Sequence, residues 1–499
     1  MPDRDPTRRA HPAGRRAPGA APAALLLLAA LATAACGRAS RPSEEAGSTA
    51  RDAGAGEWRA RSGEFLLGGV QVREPDRDRW LGRLAAAGFN SVALTVYATQ
   101  GDWDGADLRV DDAAPWIADE ARAAKAAGLR VVLVLRVALD HAHPRNRFLW
   151  HGMILPREDA QVGEWFDRYG EFVQRWAAVA EREGVDVLGI GSELNALAST
   201  RPVAGVPALE AYYLDPRKQE ERRRRAGRFA AQVDRRHLHG SWQETYDSLP
   251  RYLADEIEAQ RRWAEQVAYT GGGARAEDAV AAINRRRARL EREWSELIAA
   301  VRAVYGGELT YAANFDQFRE VGFWPDLDLL GINAYFPLRL KPRGDAALAS
   351  LEPEMEASWR RVLEDVAAFR GEIGAAATAA PATPAAALPV LFTELGYTAR
   401  VDSTVEPWSS RGFSLVGDWE EPQLVVWEER ESSFEERALA VRALHRATSE
   451  VDPDLLRGLL WWKLSTVSAH QAIEPFVLLI GEDAPPDPLL VELRKFREP

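Results

Sequence analysis

From residue 63 onward, eight short and continuously apolar runs alternate with longer stretches of helical periodicity, and that alternation leaves few folds open. The runs are 65–72, 91–97, 131–137, 185–191, 309–314, 327–335, 390–393 and 456–464. Strands that are apolar along their whole length suit a sheet covered on both faces, as parallel sheets are. Between them, the stretch 162–183 sets Trp165, Tyr169, Phe172, Trp176 and Val179 at steps of three and four, the spacing of one buried helix face. Stretches 288–305, 351–370 and 434–450 read as further helices. Strand–helix alternation predicts an α/β fold with a parallel sheet, and eight repeats predict its closure as a (β/α)8 TIM barrel. An open doubly wound sheet is the alternative. It is weaker, because no glycine-rich phosphate loop follows the first strand.

Two segments interrupt the alternation. Residues 200–290 separate the fourth strand from its helix and hold 18 basic and 13 acidic residues in 201–290, so a basic helical insertion is expected after strand 4. The stretch 374–388 is built from Ala, Pro and Thr and reads as a surface loop. The first 35 residues combine five arginines with the short apolar stretch 20–35, the layout of a secretory signal. The single cysteine, Cys36, follows Leu31-Ala32-Thr33-Ala34-Ala35, which resembles a bacterial lipobox and implies lipidation at Cys36. Residues 36–62 read as a flexible tether and 63–499 as the barrel. The expected location is therefore the cell envelope, on a lipid anchor. One cysteine excludes an intramolecular disulfide and a cysteine-rich metal site. A formal net charge of −12 argues against a general affinity for nucleic acid.

In such barrels the chemistry sits at the C-terminal ends of the strands. Two glutamates end apolar runs there: Glu193 after strand four and Glu394 after strand seven. A carboxylate at that place is costly without a partner or a task. Glycoside hydrolysis needs such a pair, one carboxylic acid to protonate the leaving oxygen and one carboxylate to attack the anomeric carbon. The first should have a raised pKa, from apolar surroundings and the charge of the second. Either glutamate pointing away from the cavity, or locked against a permanent cation, would exclude this reading.

Several segments then carry a family resemblance. They are LLGGVQV with FNSVALTVYATQ, FLWHGMILPR with WFDRYGEFVQRWAAVAE, VDVLGIGSEL, WSELIAAVRAVYGGELTYAANFD, FWPDLDLLGINAYFPL, PVLFTELGYT with EPW, and GLLWWKLST. In order and spacing the chain resembles clan A retaining glycoside hydrolases, and most closely family 113, known for β-mannanase activity. The resemblance implies that Glu193 is the acid/base and Glu394 the nucleophile, with Tyr335 hydrogen-bonded to the latter. It implies that Asn314 faces the cleft and that Trp461 or Trp462 floors the subsite where the bond breaks. Ser192 stands where the clan usually has an asparagine that holds the sugar 2-hydroxyl, so that contact, and the substrate preference with it, is open.

Among the remaining aromatic residues, Trp103, Trp150, Trp324 and Trp408 fall on loops or strand ends, where an indole can stack on a sugar face. Arg136 ends the third strand and either positions a catalytic carboxylate or makes a structural ion pair. His141, His143 and His151 follow that strand without the spacing of a metal site, so loop hydrogen bonding or substrate contact is expected rather than metal. No cofactor is expected. The reading is a retaining hydrolase of β-linked, mannan-like poly- or oligosaccharides. The alternatives are a non-catalytic glycan-binding or envelope-interaction lipoprotein on the same barrel, and a structural lipoprotein that uses its basic insertion to dock an acidic partner.

Overall fold

The computed structural model describes residues 64–110, 115–238, 245–269, 276–378 and 388–498. The signal, Cys36 and the tether lie outside the described residues, as does 379–387. Among the described residues no helix is long and apolar enough to cross a membrane.

Eight parallel strands form the barrel: β1 (Leu66–Gln71), β2 (Ser91–Gln100), β4 (Arg130–Leu139), β5 (Val187–Ser192), β6 (Glu308–Asn314), β7 (Leu330–Asn333), β8 (Val390–Leu395) and β11 (Leu456–Ser465). β1 pairs with both β2 and β11, so the sheet closes on itself. All eight expected runs became barrel strands. Short β3 (Leu108–Val110) and β12 (Leu478–Leu479) extend β2 and β11, and β9 (Phe413–Gly417) with β10 (Pro422–Val426) forms a separate hairpin.

Alternate side chains point to opposite faces of a strand, and this sorts the core into two layers. Leu66, Val70, Ala93, Val132, Val134, Val187, Ala312, Leu329, Leu391 and Leu460 fill the lumen. Their neighbours, such as Val131, Leu133, Leu135, Leu188, Ile190, Ile332, Phe392 and Trp461, pack outward against the helices. Strict alternation continues the inward rows into Arg136 on β4, Asn314 on β6, Asn333 on β7 and Trp462 on β11.

Two strands break the alternation just before their glutamates. The β5–β6 register shifts between Gly189 and Ser192, and the β7–β8 register between Ile332 and Asn333. Each shift places one extra residue in β5 or β8, the arrangement of a bulge, which re-aims the side chains that follow it. On β8 this turns Glu394 to the lumen side and Leu395 outward into the core.

The segment after β5 is helical. It carries Asn195–Ala198, Ala208–Leu214, Pro216–Arg228 and Leu249–Val267, and then the helix Ala276–Arg302. That last helix begins earlier than the sequence suggested, so the segment and the barrel's own helix share one continuous element. Ala226, Val233, Leu238, Tyr246, Leu249, Tyr252 and Leu253 bury themselves against Phe413 and Val426 of the β9–β10 hairpin, with Phe148 packed beside them. The helix Glu352–Thr378 likewise extends into the Ala-rich stretch read as a loop.

Several arginines of the segment are used within the protein. Arg222 binds Glu256 and Gln260, Arg225 binds Glu221 and stacks on Trp419, and Arg261 is held by Glu258 and Glu265. Arg286 donates to the carbonyls of Pro156 and Arg157, and Arg287 pairs with Glu320. The expected acidic partner finds no support here: these charges were countable in the sequence, but their partners within the protein were not.

Candidate active site

β5, β7, β8 and β4 bring their C-terminal ends to one mouth. Glu394 is buried at 3% exposure. Tyr335, two residues past β7, donates its O–H to Glu394 Oε2 at 2.7 Å, and Arg136 Nη2 forms an ion pair with Oε1. The criterion that a cation would exclude the hydrolase reading proves too strict. A carboxylate offers about four lone-pair sites, and these two partners leave others open while favouring the ionised form that a nucleophile requires. Of the two roles considered for Arg136, its contact with Glu394 supports positioning a carboxylate.

Glu193 follows β5 in a left-handed backbone conformation, φ 52°, rare for a residue with a side chain. Its N–H donates to Ala312 O at 2.9 Å and the next N–H, of Leu194, donates to Tyr311 Oη at 2.8 Å, so the turn is fixed from β6. The carboxylate meets His151 Nε2 at 3.0 Å through Oε2 and Asn333 Nδ2 at 3.0 Å through Oε1. Burial pushes its pKa up, but the hydrogen bond and charge of His151, the charge of Arg136 and the Asn333 hydrogen bond outweigh burial and hold it below the ordinary carboxylate value. The expectation of a raised value is therefore corrected. Sequence reasoning counted the apolar strand and Glu394, not the donors that converge on Glu193.

Asn333 was missed by the sequence reading. It is fully buried; its Nδ2 also donates to Ser192 Oγ at 3.3 Å and its Oδ1 accepts from Thr393 Oγ1 at 2.8 Å. It thus ties the residues just before both glutamates to the end of β7. Its place in the inward row of GINAYF was the available signal. Ser192, whose contact with substrate the sequence left open, is buried at 1%, and its Oγ accepts from Asn333 Nδ2.

The tryptophan pair separates by parity. Trp461 is fully buried among the helices and donates Nε1–H to Phe476 O at 3.0 Å, so it floors no subsite. Trp462 turns inward, with the Arg136 guanidinium 4.8 Å and the Lys463 ammonium 4.3 Å from its ring centroid. Asn314 is half-buried and accepts from its own neighbour Phe315 N at 2.9 Å. Trp408 is 47% exposed and lies parallel to Phe315 with centroids 5.1 Å apart, leaving an indole at the surface. Trp150 stands edge-on to His151 at 5.0 Å. A Cβ on Gly152 would come within 2.2 Å of that indole, so glycine lets Trp150 fold over the turn that carries His151. Trp103 and Trp324 are core residues. Among the described residues no group of His, Cys, Asp and Glu is placed to hold a metal ion.

The profile of Glycoside Hydrolase Family 113 matches residues 70–201 and 279–443, which include Glu193, His151, Asn333 and Glu394. The chain belongs to glycoside hydrolase family 113. It is a glycoside hydrolase, and the stretch 202–278 between the matched parts is not accounted for by the family profile. A family 113 β-mannanase from Alicyclobacillus acidocaldarius, solved with ManMIm, is similar at 19% identity, with 87% of this chain and 97% of that one covered and a TM-score of 0.49. Two structures of a family 113 β-1,4-mannanase are similar at 16% and 15% identity, with 87% of this chain and 99% of each covered and TM-scores of 0.48 and 0.49. No curated protein sequence matches.

Proposed function

We propose that this family 113 member hydrolyses β-linked, mannan-type glycans with net retention, Glu394 acting as nucleophile and Glu193 as acid/base. The observation that carries the reading is the unequal surroundings of the two carboxylates. Glu394 sits between a permanent cation and a phenol, which favours a standing negative charge. Glu193 instead meets His151 and Asn333 through hydrogen bonds at 3.0 Å, a setting that suits a residue that gives and takes a proton.

In the first step Glu394 attacks the anomeric carbon while Glu193 protonates the departing oxygen. In the second, Glu193 takes a proton from water, which releases the covalent glycosyl group with the original configuration. Trp462 lies beside Arg136, and the exposed indole of Trp408 is a further surface on which a sugar ring can stack. Because Glu193 must carry a proton and its carboxyl is held low, the activity should fall as pH rises from the acid side. The mannan preference rests on the family and on the β-mannanases named above. Export and lipidation at Cys36 are proposed from the sequence of residues 1–36 alone.

The test is a hydrolysis screen on mannan, glucomannan, xylan, cellulose and envelope glycans, with the anomer of the first product read by NMR. Wild-type protein should release reducing ends from mannan-type substrates as the β-anomer, and Glu394→Ala should bind the glycan without turnover. A fully active Glu394→Ala, or an α first product, would refute the mechanism.

A further inference from the structure

His151 reaches Glu193 from the loop after β4, in a short 3-10 turn, His151–Met153. A loop residue is a poor anchor for a hydrogen bond unless its backbone is fixed. The helix Leu249–Val267 supplies that fixing. Trp263 donates Nε1–H to Met153 O at 3.0 Å, in a buried contact, and Gln266 donates to Leu155 O at 2.8 Å. On the other side of the turn, Phe148 packs edge-on to Tyr252, centroids 5.1 Å apart, and against Tyr246 at 5.8 Å. The stretch on both sides of His151 is therefore gripped by residues 246–266.

Those residues lie in 202–278, the stretch the family profile does not match, whereas His151 and Glu193 lie in the matched part. We propose that the segment 246–266 is a positioning element for the acid/base: it holds the 148–155 loop so that His151 stays against Glu193. The acid/base role of Glu193 in this statement rests on the function proposed above. The charged and titratable groups that face Glu193 are His151, Arg136, Tyr335, Tyr311 and Asp316. Arg136, Tyr311, Tyr335 and Asp316 stand on or next to β4, β6 and β7. His151 alone of the five rides on the gripped loop, so releasing the grip changes that partner and leaves the others.

The test uses the full chain with Trp263→Phe, which keeps a ring in place and removes the N–H, and separately Gln266→Leu. The first measurement is the titration of the Glu193 side-chain carboxyl by carbon NMR in substrate-free protein, assigned through its loss in Glu193→Gln. The midpoint should rise by about one pH unit in Trp263→Phe, because a lost charge-assisted partner weakens the ionised form. The same substitution in a His151→Ala background should move it no further, as a double-mutant cycle requires when one residue acts through the other. An unmoved midpoint in both single variants, or an equal shift with and without His151, would overturn the proposal.

The second measurement is kcat/KM against pH on mannan oligosaccharides. A basic limb that rises together with the midpoint supports both readings. A midpoint that rises while the limb stays fixed supports the grip on His151 and removes Glu193 from the acid/base role.

Discussion

Replacing Asn333 by alanine is the sharpest single probe of the site. The amide donates to Glu193 Oε1 at 3.0 Å, and Asn333 itself is fully buried. A hydrogen bond to a charged group contributes about 1.5–3 kcal/mol. At about 1.4 kcal/mol per tenfold change in proton affinity, its loss corresponds to one to two pH units. The smaller figure is expected, because Asn333 ranks behind His151 and Arg136 among the groups that hold Glu193 low. The sign follows from the role: an acid that keeps its proton to higher pH extends the basic limb upward. In Asn333→Ala the basic limb of kcat/KM on an aryl β-mannoside with a poor leaving group should therefore move up by about one pH unit. With a strongly activated leaving group, which needs no protonation, the limb should flatten in wild type and variant alike. A limb that stays in place, or moves down, would show that the amide does not support the ionised form of the residue that limits the rate.

Two further substitutions probe the neighbours. Tyr335→Phe removes the O–H at 2.7 Å from Glu394; kcat/KM should fall by about tenfold or more, the cost of one charge-assisted hydrogen bond, and an unchanged value would show that Arg136 alone suffices to hold the nucleophile. Trp408→Ala removes an indole that is 47% exposed; KM for long oligosaccharides should rise about three- to tenfold with kcat kept, while equal changes on a monosaccharide aryl glycoside would place the indole at the reacting centre instead.

The barrel was legible because continuous apolar runs and helical periodicity are local properties, and each of the eight runs became a barrel strand. Glu193 and Glu394 were legible for the same reason: each ends such a run. What was not legible is side-chain aim. Two register shifts, at Gly189/Ser192 and at Ile332/Asn333, change which residues face the lumen. No pattern in VDVLGIGSEL or PVLFTEL announces them, since a bulge depends on the partner strand as much as on its own residues. The choice between Trp461 and Trp462 was one of parity, and only pairing settles parity. Partners far apart in the chain were equally hidden: Asn333 and Glu193 are 140 positions apart, and the Arg136–Glu394 pair spans more.

The charge inventory explains why the His151 loop matters so much. Arg136 serves two carboxylates at once, paired with Glu394 and lowering Glu193. Burial and the charge of Glu193 already push the pKa of Asp316 up. One guanidinium cannot neutralise two ionised carboxylates, and it cannot release its own proton to adjust. Glu193 therefore draws on a second partner, His151, which meets its Oε2 at 3.0 Å. In the proposed mechanism, a fixed ion pair on Glu394 and a hydrogen-bonded partner on Glu193 thus divide the labour. The division holds only while His151 stays within hydrogen-bond distance of Glu193, so a device that fixes its loop acts on the chemistry from outside the barrel.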